Sequence, residues 1–372
     1  MNVAVTELRR RPGRFVTATI ILTLLATLLL LLGGLLDGLL NGATSAVAGQ
    51  RGDVIVYSST AEQSFLRSRI TPEQRAQVEA VDGVKAVGGL GVVQLGARVP
   101  GNADRDLADV ALFGYEIAPV GVPADPPATG TAYADRTLEA EGIKEGMTVE
   151  VGPARTPVEI VGWVDGLVYS GQGTLWASAD TWRATVNANR PDAGVGDGVV
   201  QALVVQADPG VSPARLTAAI DEATDGSTDS LTRSDAVEAI PGVKEQRGTF
   251  NQIIGVTLVI AVVVVALFFA LLTVERTGLY GVLKAIGATS GRLFVGVVLQ
   301  AVVVTAIAAA IGSALAVVLD VVIPPGSIPY TLLPGRVVSS VVFLLVAAVV
   351  GCAFSLRRVL RIDPASAIGS AS

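Results

Sequence analysis

The sequence has no histidine, one cysteine (Cys352), and only 5% aromatic and 16% charged residues. Without histidine there is no imidazole to hold a metal or to shuttle protons near neutral pH, and a Cys/His zinc site is out of reach. A lone cysteine excludes any intrachain disulfide. The phosphate-cradling pattern Gly-x-x-x-x-Gly-Lys-Ser/Thr is also missing, so the chain encodes no nucleotide site of that kind. Carboxylates are plentiful, yet no pair stands in a setting that marks it as catalytic, and the chain is not expected to be an enzyme.

What is abundant is hydrocarbon. Hydrophobic residues make up 51% of the chain and its mean hydropathy is +0.58, too high for an ordinary soluble protein. They concentrate in four runs, Phe15 to Leu36, Ile253 to Val274, Leu293 to Leu319 and Val337 to Leu356. Each holds about 20 residues or more, the length that crosses roughly 30 Å of bilayer core. The first spanning helix is placed at 15–41 and is expected to be retained. Its basic start suits a signal peptide, but about 22 uncharged residues exceed a signal's apolar core, and no small-residue cleavage site follows. Residues 1–14, interrupted by Pro12-Gly13, are expected to lie as a short amphipathic helix on the inner membrane surface.

Basic residues set the expected orientation. Arg9, Arg10, Arg11 and Arg14 precede the first run, Arg276, Lys284 and Arg292 lie between the second and third, and Arg357, Arg358 and Arg361 follow the fourth. The positive-inside rule puts these and both termini in the cytoplasm. Residues 42–252 carry 28 acidic against 16 basic side chains and belong outside, an asymmetry hidden by the formal net charge of −6. The fold class is therefore a membrane protein with four transmembrane α-helices and a large two-lobed α+β extracytoplasmic domain between the first and second.

Within that domain, Asp53 to Ser58 reads as a strand. Thr71-Pro72 starts a helix running to about Ala80, with a capping residue before proline at the first helical position. Strands follow to about Val99 and over Val110 to Ile117, and a Pro/Gly/Ala-rich stretch from Ala118 to Thr131 reads as a linker. It leads to a small inserted β unit at about 130–195, with strands at Met147 to Val151, Val158 to Val164 and Gly173 to Ala177. A return strand, Val199 to Ala207, and a helix after Ser212-Pro213 complete the first lobe. Trp163, Trp176 and Trp182 are expected in the core.

Between the second and third runs, residues 275–292 form the one sizeable polar loop on the cytoplasmic side. Leu279, Val282, Leu283 and Ile286 follow the i, i+3, i+4, i+7 spacing of a short amphipathic helix, with Gly287 as its stop. The words Glu275-Arg276, Gly278-Leu279 and Gly281-Val282-Leu283-Lys284-Ala285-Ile286-Gly287-Ala288 resemble the coupling segment of FtsX-like ABC-transporter permeases. Weaker words agree: Glu141 to Val149 and Val158 to Gly162 in the large domain, and Arg361-Ile362-Asp363-Pro364 in the tail. Leu279-Tyr280 stands where the family carries an acid, so that acid's role does not transfer.

The resemblance implies a homodimeric permease of the macrolide-exporter kind that binds no cofactor itself. ATP and magnesium would sit in a separate cytosolic ATPase that docks on Glu275, Gly278, Leu279, Leu283, Lys284, Ile286 and Gly287. The loop and the amino-terminal layout are most similar to haem-exporter permeases, which makes haem the leading substrate among hydrophobic candidates. The alternative is a non-transporting regulator that passes ATPase motion to an extracytoplasmic cell-wall hydrolase, although a domain of about 210 residues is large for that role.

Polar residues at the ends of the spans complete the candidates. Asp37 and Asn41 after the first, with Asn251 and Gln252 before the second, either stand at an ordinary interface or mark substrate access from the bilayer. Asp320 ends the third span. Gln300, inside it, requires a hydrogen-bond partner. Gly33, Gly34 and Gly38 form a ridge on the first helix suited to close helix packing in a homodimer.

Overall fold

Hydrocarbon offers no water to a peptide group, so an apolar run must close its hydrogen bonds internally, and the first run does so as one unbroken helix, α1 (Pro12–Ala48). The structure is a computed structural model that describes residues 12–103, 106–275, 282, 286, 289–323 and 328–359. Helix α1 continues past residue 41, where the span was expected to end. The chain divides into two compact units, Leu39–Gln246 and the segments on either side of it.

The Leu39–Gln246 unit holds ten strands in one sheet. They are β1 (Val54–Ser58), β2 (Val84–Arg98), β3 (Leu107–Tyr115), β4 (Thr131–Asp135), β5 (Thr148–Val151), β6 (Thr156–Val164), β7 (Val168–Tyr169), β8 (Gln172–Ser178), β9 (Ala202–Ala207) and β10 (Thr228–Thr232). The order is β10-β1-β9-β2-β3-β8-β4-β6-β5, and β5 returns to β2 through the pairs Ala97 with Val151 and Arg98 with Glu150. Six strands thus close into a ring. Strand β2 serves both lobes: Val84 to Leu90 pairs with β9, and Leu90 to Arg98 with β3.

The segment 130–195 is therefore not a separate inserted unit. Strand β8 runs parallel to β3 and antiparallel to β4, so the ring cannot be drawn without β2 and β3. The Ala118–Thr131 stretch is no free linker either. Ala118 and Val122 are buried in the core, and the Tyr115 hydroxyl donates to the carbonyl of Pro123.

The alternation of side chains along a strand explains how one sheet serves two cores. On β3, Ala108, Val110 and Leu112 join Val149, Val158, Ile160, Leu175 and Trp182, while Ala111, Phe113 and Tyr115 join Tyr57, Phe65 and Trp176. Trp176 and Trp182 are fully buried, whereas Trp163 is only partly so, with the Arg136 guanidinium 5.7 Å from its ring. Gly91 and Gly114 make the slot for Trp182, because a Cβ at either position would collide with the indole.

Helices α2 (Pro72–Glu79), α3 (Ala179–Asn189), α4 (Pro213–Ala223) and α5 (Arg233–Glu238) cover the sheet. The start of α2 follows the local chemistry read from the sequence. Thr71 caps the Gln74 N–H, and the Gln74 side chain returns a bond to the Thr71 N–H. At the free edge, β10 is blunted by Asp221 of α4, whose carboxylate accepts the Ser230 N–H.

The turn joining β7 to β8 clamps the end of α1. Ser170 and Gly171 both have positive φ, 51° and 80°, as a two-residue hairpin turn requires. Their N–H groups donate to the carbonyls of Ala43 and Gly42, each at 2.9 Å. Beside them the Ser45 hydroxyl accepts from the Val168 N–H and donates to its carbonyl. Buried Asp135 holds the approach to this hairpin by accepting the Leu167 N–H at 2.8 Å.

The second unit carries α6 (Val243–Val274) from Arg247 onward, α7 (Ser290–Val322) and α8 (Pro334–Val359) with the first part of α1. All four helices are long and apolar enough to cross a membrane. They pack through Ala18, Leu22, Val265, Phe269, Ala301, Val304, Ala348 and Cys352, while Val259, Leu267, Leu271 and Val295 point outward. Gly312 lets α7 approach Ala26 of α1, and Gly351 lets α8 approach the Val262 carbonyl of α6. Gln300 lies buried within α7.

Two predictions test this packing. Trp182→Ala should destabilise the protein by about 3–5 kcal/mol, since a large aromatic leaves a cavity that the rigid strands around it cannot fill. The denaturation midpoint of the full chain in detergent checks it, and a loss below about 1 kcal/mol would contradict the buried position. Burial also pushes the Tyr57 hydroxyl well above its ordinary value and raises Tyr169 to about 12. The unfolded chain ionises first, near pH 10, so this stability is complete below about pH 10 and drains away as pH rises toward about 12. Melting temperature should therefore fall between about pH 9.5 and about pH 11.5 while tyrosinate absorbance stays below that of the denatured chain.

Candidate functional site

An ion pair and several hydrogen bonds of the helical unit lie where α1 meets the start of α8. Helix α1 presents Gly33, Gly34 and Gly38 along one side, and a bare backbone there lets another segment lie close. That segment comes from the same chain. A Cβ on Gly34 would strike the Tyr330 ring, one on Gly38 the Pro329 carbonyl, and one on Gly33 the Arg336 side chain. The ridge expected to pack helices of a homodimer is thus occupied by residues 329–336, because the stretch before α8 needs the space a side chain would fill.

Hydrogen bonds stitch this stretch in place. Thr331 donates its N–H to the Gly34 carbonyl at 3.0 Å, Leu332 donates to Asp320 at 3.3 Å, and the Tyr330 hydroxyl reaches the Ala316 carbonyl at the end of α7. Asp320, in the last turn of α7, therefore holds the segment that precedes α8.

Asp37 faces Arg336. The guanidinium donates from Nε to one carboxylate oxygen at 2.9 Å and from Nη2 to the other, a two-pronged geometry that Lys could not make. The Asp37 side chain is 10% exposed and that of Arg336 27%. Neither charge would be tolerated alone against the apolar faces of α1 and α8, so each makes the other possible. Arg336 was not singled out from the sequence. The signal was available as a lone basic residue beside a predicted span, matched by the acid ending another.

Among the other residues expected at a substrate path, Asn41, Asn251 and Gln252 are exposed and make no side-chain hydrogen bond among the described residues. No bond joins them to Asp37. Arg336, but not Asp37, lines a small cleft between α1, α6 and α8 walled by Leu29, Ile254, Leu258 and Phe343.

Of the residues expected to dock a partner, Gly278, Leu279, Leu283, Lys284 and Gly287 lie outside the described residues. Glu275 follows the last turn of α6 and is exposed, its N–H bonded to the Leu271 carbonyl. Ile286 donates its N–H to the Val282 carbonyl, and both side chains are exposed.

Four helices long and apolar enough to cross a membrane, with an α+β domain between the first and second in sequence, define a multi-pass membrane protein. Residues 251–364, the region carrying α6, α7 and α8, match the family model described as FtsX-like permease C-terminal. Over 140 residues the chain is 25% identical to the putative hemin transport system permease protein HrtB of one Staphylococcus epidermidis strain, and equally so over 142 residues to that of a second strain. Each match covers 38% of this chain, and the chain spans about 40% of the relatives' length. Among solved structures, the periplasmic region of MacB from Actinobacillus actinomycetemcomitans aligns with a TM-score of 0.35 at 11% identity, over 52% of this chain and 95% of that one. The extracellular domain of YknZ from Gram-positive bacteria aligns at 0.33 and 14%, over 48% and 99%. At those TM-scores neither alignment adds to the fold described above.

One prediction follows from the ion pair. Arg336→Ala or Asp37→Ala alone should lower the melting temperature in detergent more than additivity with the double variant allows, a coupling of roughly 1–3 kcal/mol. Strictly additive losses would show that the two charges do not support each other.

Proposed function

We propose that the chain is the permease subunit of an ABC exporter, working as a homodimer with a separate cytosolic ATPase and moving a hydrophobic substrate. The single observation that carries this reading is the family match over α6 to α8, which includes the polar 275–289 segment between α6 and α7. In this reading the acidic domain between α1 and α6 is extracytoplasmic and both termini are cytoplasmic. The arginines before α1, between α6 and α7, and at the chain's end support that orientation.

ATP and magnesium belong to the partner. Exposed Glu275, Val282 and Ile286, with Leu283 and Lys284 between them, supply the docking surface, and movement there passes along α6 and α7. Haem is the leading substrate, supported by the hemin transport name of the matched relatives. With no histidine in the chain, haem would be held by its hydrophobic faces and carboxylates more than by an axial imidazole.

Replacing Leu283 and Ile286 together by Asp is expected to abolish co-purification with the cognate ATPase, because two carboxylates cannot be buried against an apolar socket without several kcal/mol of penalty. Retained co-purification would overturn the docking surface. In liposomes holding both subunits, haem is expected to stimulate ATP hydrolysis. Hydrolysis indifferent to haem would keep the pump and remove haem as its substrate, and a deletion phenotype confined to cell separation would favour a regulator of a cell-wall hydrolase.

A further inference from the structure

Beyond β1 the chain leaves the sheet and returns at Ile70, which exchanges both backbone hydrogen bonds with Val200, at 2.8 and 3.2 Å. On the way, Glu62 and Gln63 adopt φ of 49° and 62°, left-handed conformations that persist in such residues only where the surroundings impose them. Phe65, Ser68 and Ile70 impose them, all three being buried. Phe65 meets the rings of Tyr57 and Tyr169 edge-on, and the Ser68 hydroxyl accepts the Ser58 N–H at 2.9 Å. The residues between these anchors come to the surface. Leu66, 44% exposed, and Arg67 are in solvent, and Arg69 is half-buried.

The two arginines differ in how their charge is answered. Arg67 pairs with Glu62 at 2.8 Å. Arg69 instead donates from Nη1 to the Leu66 and Ser68 carbonyls, at 3.2 and 2.7 Å, and from Nη2 to the Ala193 carbonyl at 3.2 Å. It has no carboxylate partner among the described residues, and burial lowers its pKa from the ordinary value with no acid to offset it. Such a cation is unusual in residues 42–252, where 28 acidic side chains face 16 basic ones. The Nε proton and one Nη2 proton of Arg69 remain, on the two nitrogens with which Arg336 grips both oxygens of Asp37. Because three carbonyls already fix the guanidinium, this fork is oriented before any ligand arrives.

We propose that Leu66 and Arg69 dock a protein segment that carries an aspartate or glutamate beside an apolar residue. The carboxylate is taken by Nε and Nη2 of Arg69, and the apolar side chain is seated on Leu66. With Nη1 only 3.2 Å from the Leu66 carbonyl, both contacts fall within a few residues of the partner. Charge decides the partner's chemistry. An acidic segment is repelled by the surrounding carboxylates and finds its attraction concentrated at Arg69, which fixes its register, whereas a basic segment would spread over the acidic surface. A bare anion would leave Leu66 in water. The rigid anchors reduce the ordering that binding requires, and arginine is among the residues that carry most of an interface's energy. The site lies wholly within the Leu39–Gln246 unit and rests on neither the ATPase nor haem, so either reading can fail without the other.

A phage-displayed library of random dodecapeptides is panned on the full chain in nanodiscs and counter-selected on Leu66→Ser/Arg69→Gln. The surviving sequences are expected to share an acid next to Leu, Ile, Val or Phe. A synthetic peptide of that consensus, followed by fluorescence anisotropy, should bind Arg69→Gln about ten-fold or more weakly and Leu66→Ser about five-fold more weakly. Arg69→Lys should lose about three- to ten-fold, because lysine keeps the charge but cannot offer the fork. Arg67→Gln should change affinity less than about two-fold, since Glu62 already answers that charge. Melting temperature checks the folding of each variant, and Leu66→Ser, at an exposed position, keeps the test decisive if the Arg69 variants unfold. No survivors, survivors without an acid, or full affinity in folded Arg69→Gln or Leu66→Ser would overturn the site. So would a loss at Arg67→Gln equal to that at Arg69→Gln, which would mark diffuse attraction, or displacement by inorganic phosphate at peptide-like concentration, which would mark a simple anion site.

Discussion

A polar group taken out of water and left without a partner costs several kcal/mol, and this constraint governs both units of the protein. In the spanning helices it forces every backbone bond inward and makes Asp37 and Arg336 acceptable only together. In the Leu39–Gln246 unit it appears as closure. Strand β5 returns to β2, so six strands form a ring without an open edge, and Asp221 answers the Ser230 N–H on the edge that remains.

The same constraint determines how α1 enters the sheet. Carbonyls at Gly42 and Ala43 take a second set of donors from the β7–β8 turn, and Ser45 closes both backbone groups of Val168. A displacement of that helical turn therefore carries the hairpin with it. Asp135, buried and spent on the N–H groups of Leu167 and Thr137 with the Thr137 hydroxyl, ties the hairpin to β4 of the ring.

Glycine placement follows from the need for close approach. Gly34 and Gly38 admit Tyr330 and Pro329, and Gly91 and Gly114 admit Trp182. In each case a large or rigid group fills the volume that a side chain would have taken, which couples distant stretches of chain more tightly than apolar contact alone.

Much of the architecture was legible in one dimension. Run length identified the four spans, because bilayer thickness sets a minimum number of residues. The Thr71–Gln74 start of α2 was also readable, since capping depends on residues three apart. Strand positions in the large domain came through within a few residues, but the ring did not: nothing local in β8 says that its neighbour is β3, more than fifty residues earlier, as well as β4. The glycine ridge was legible as a place of close packing, while its occupant was not, for Gly34 and Tyr330 are neighbours only after the chain has crossed the membrane unit. Asp37 was visible as a polar residue at the end of a span, and Arg336 was passed over. By itself the sequence determined the periodic and local features, those governed by hydrophobic length and by hydrogen bonds within a turn. Tertiary structure alone decided which strands close the ring, what fills the glycine ridge and that Arg336 is the charge facing Asp37, because pairings between stretches far apart in the chain are selected by the burial of the whole unit and not by any local pattern.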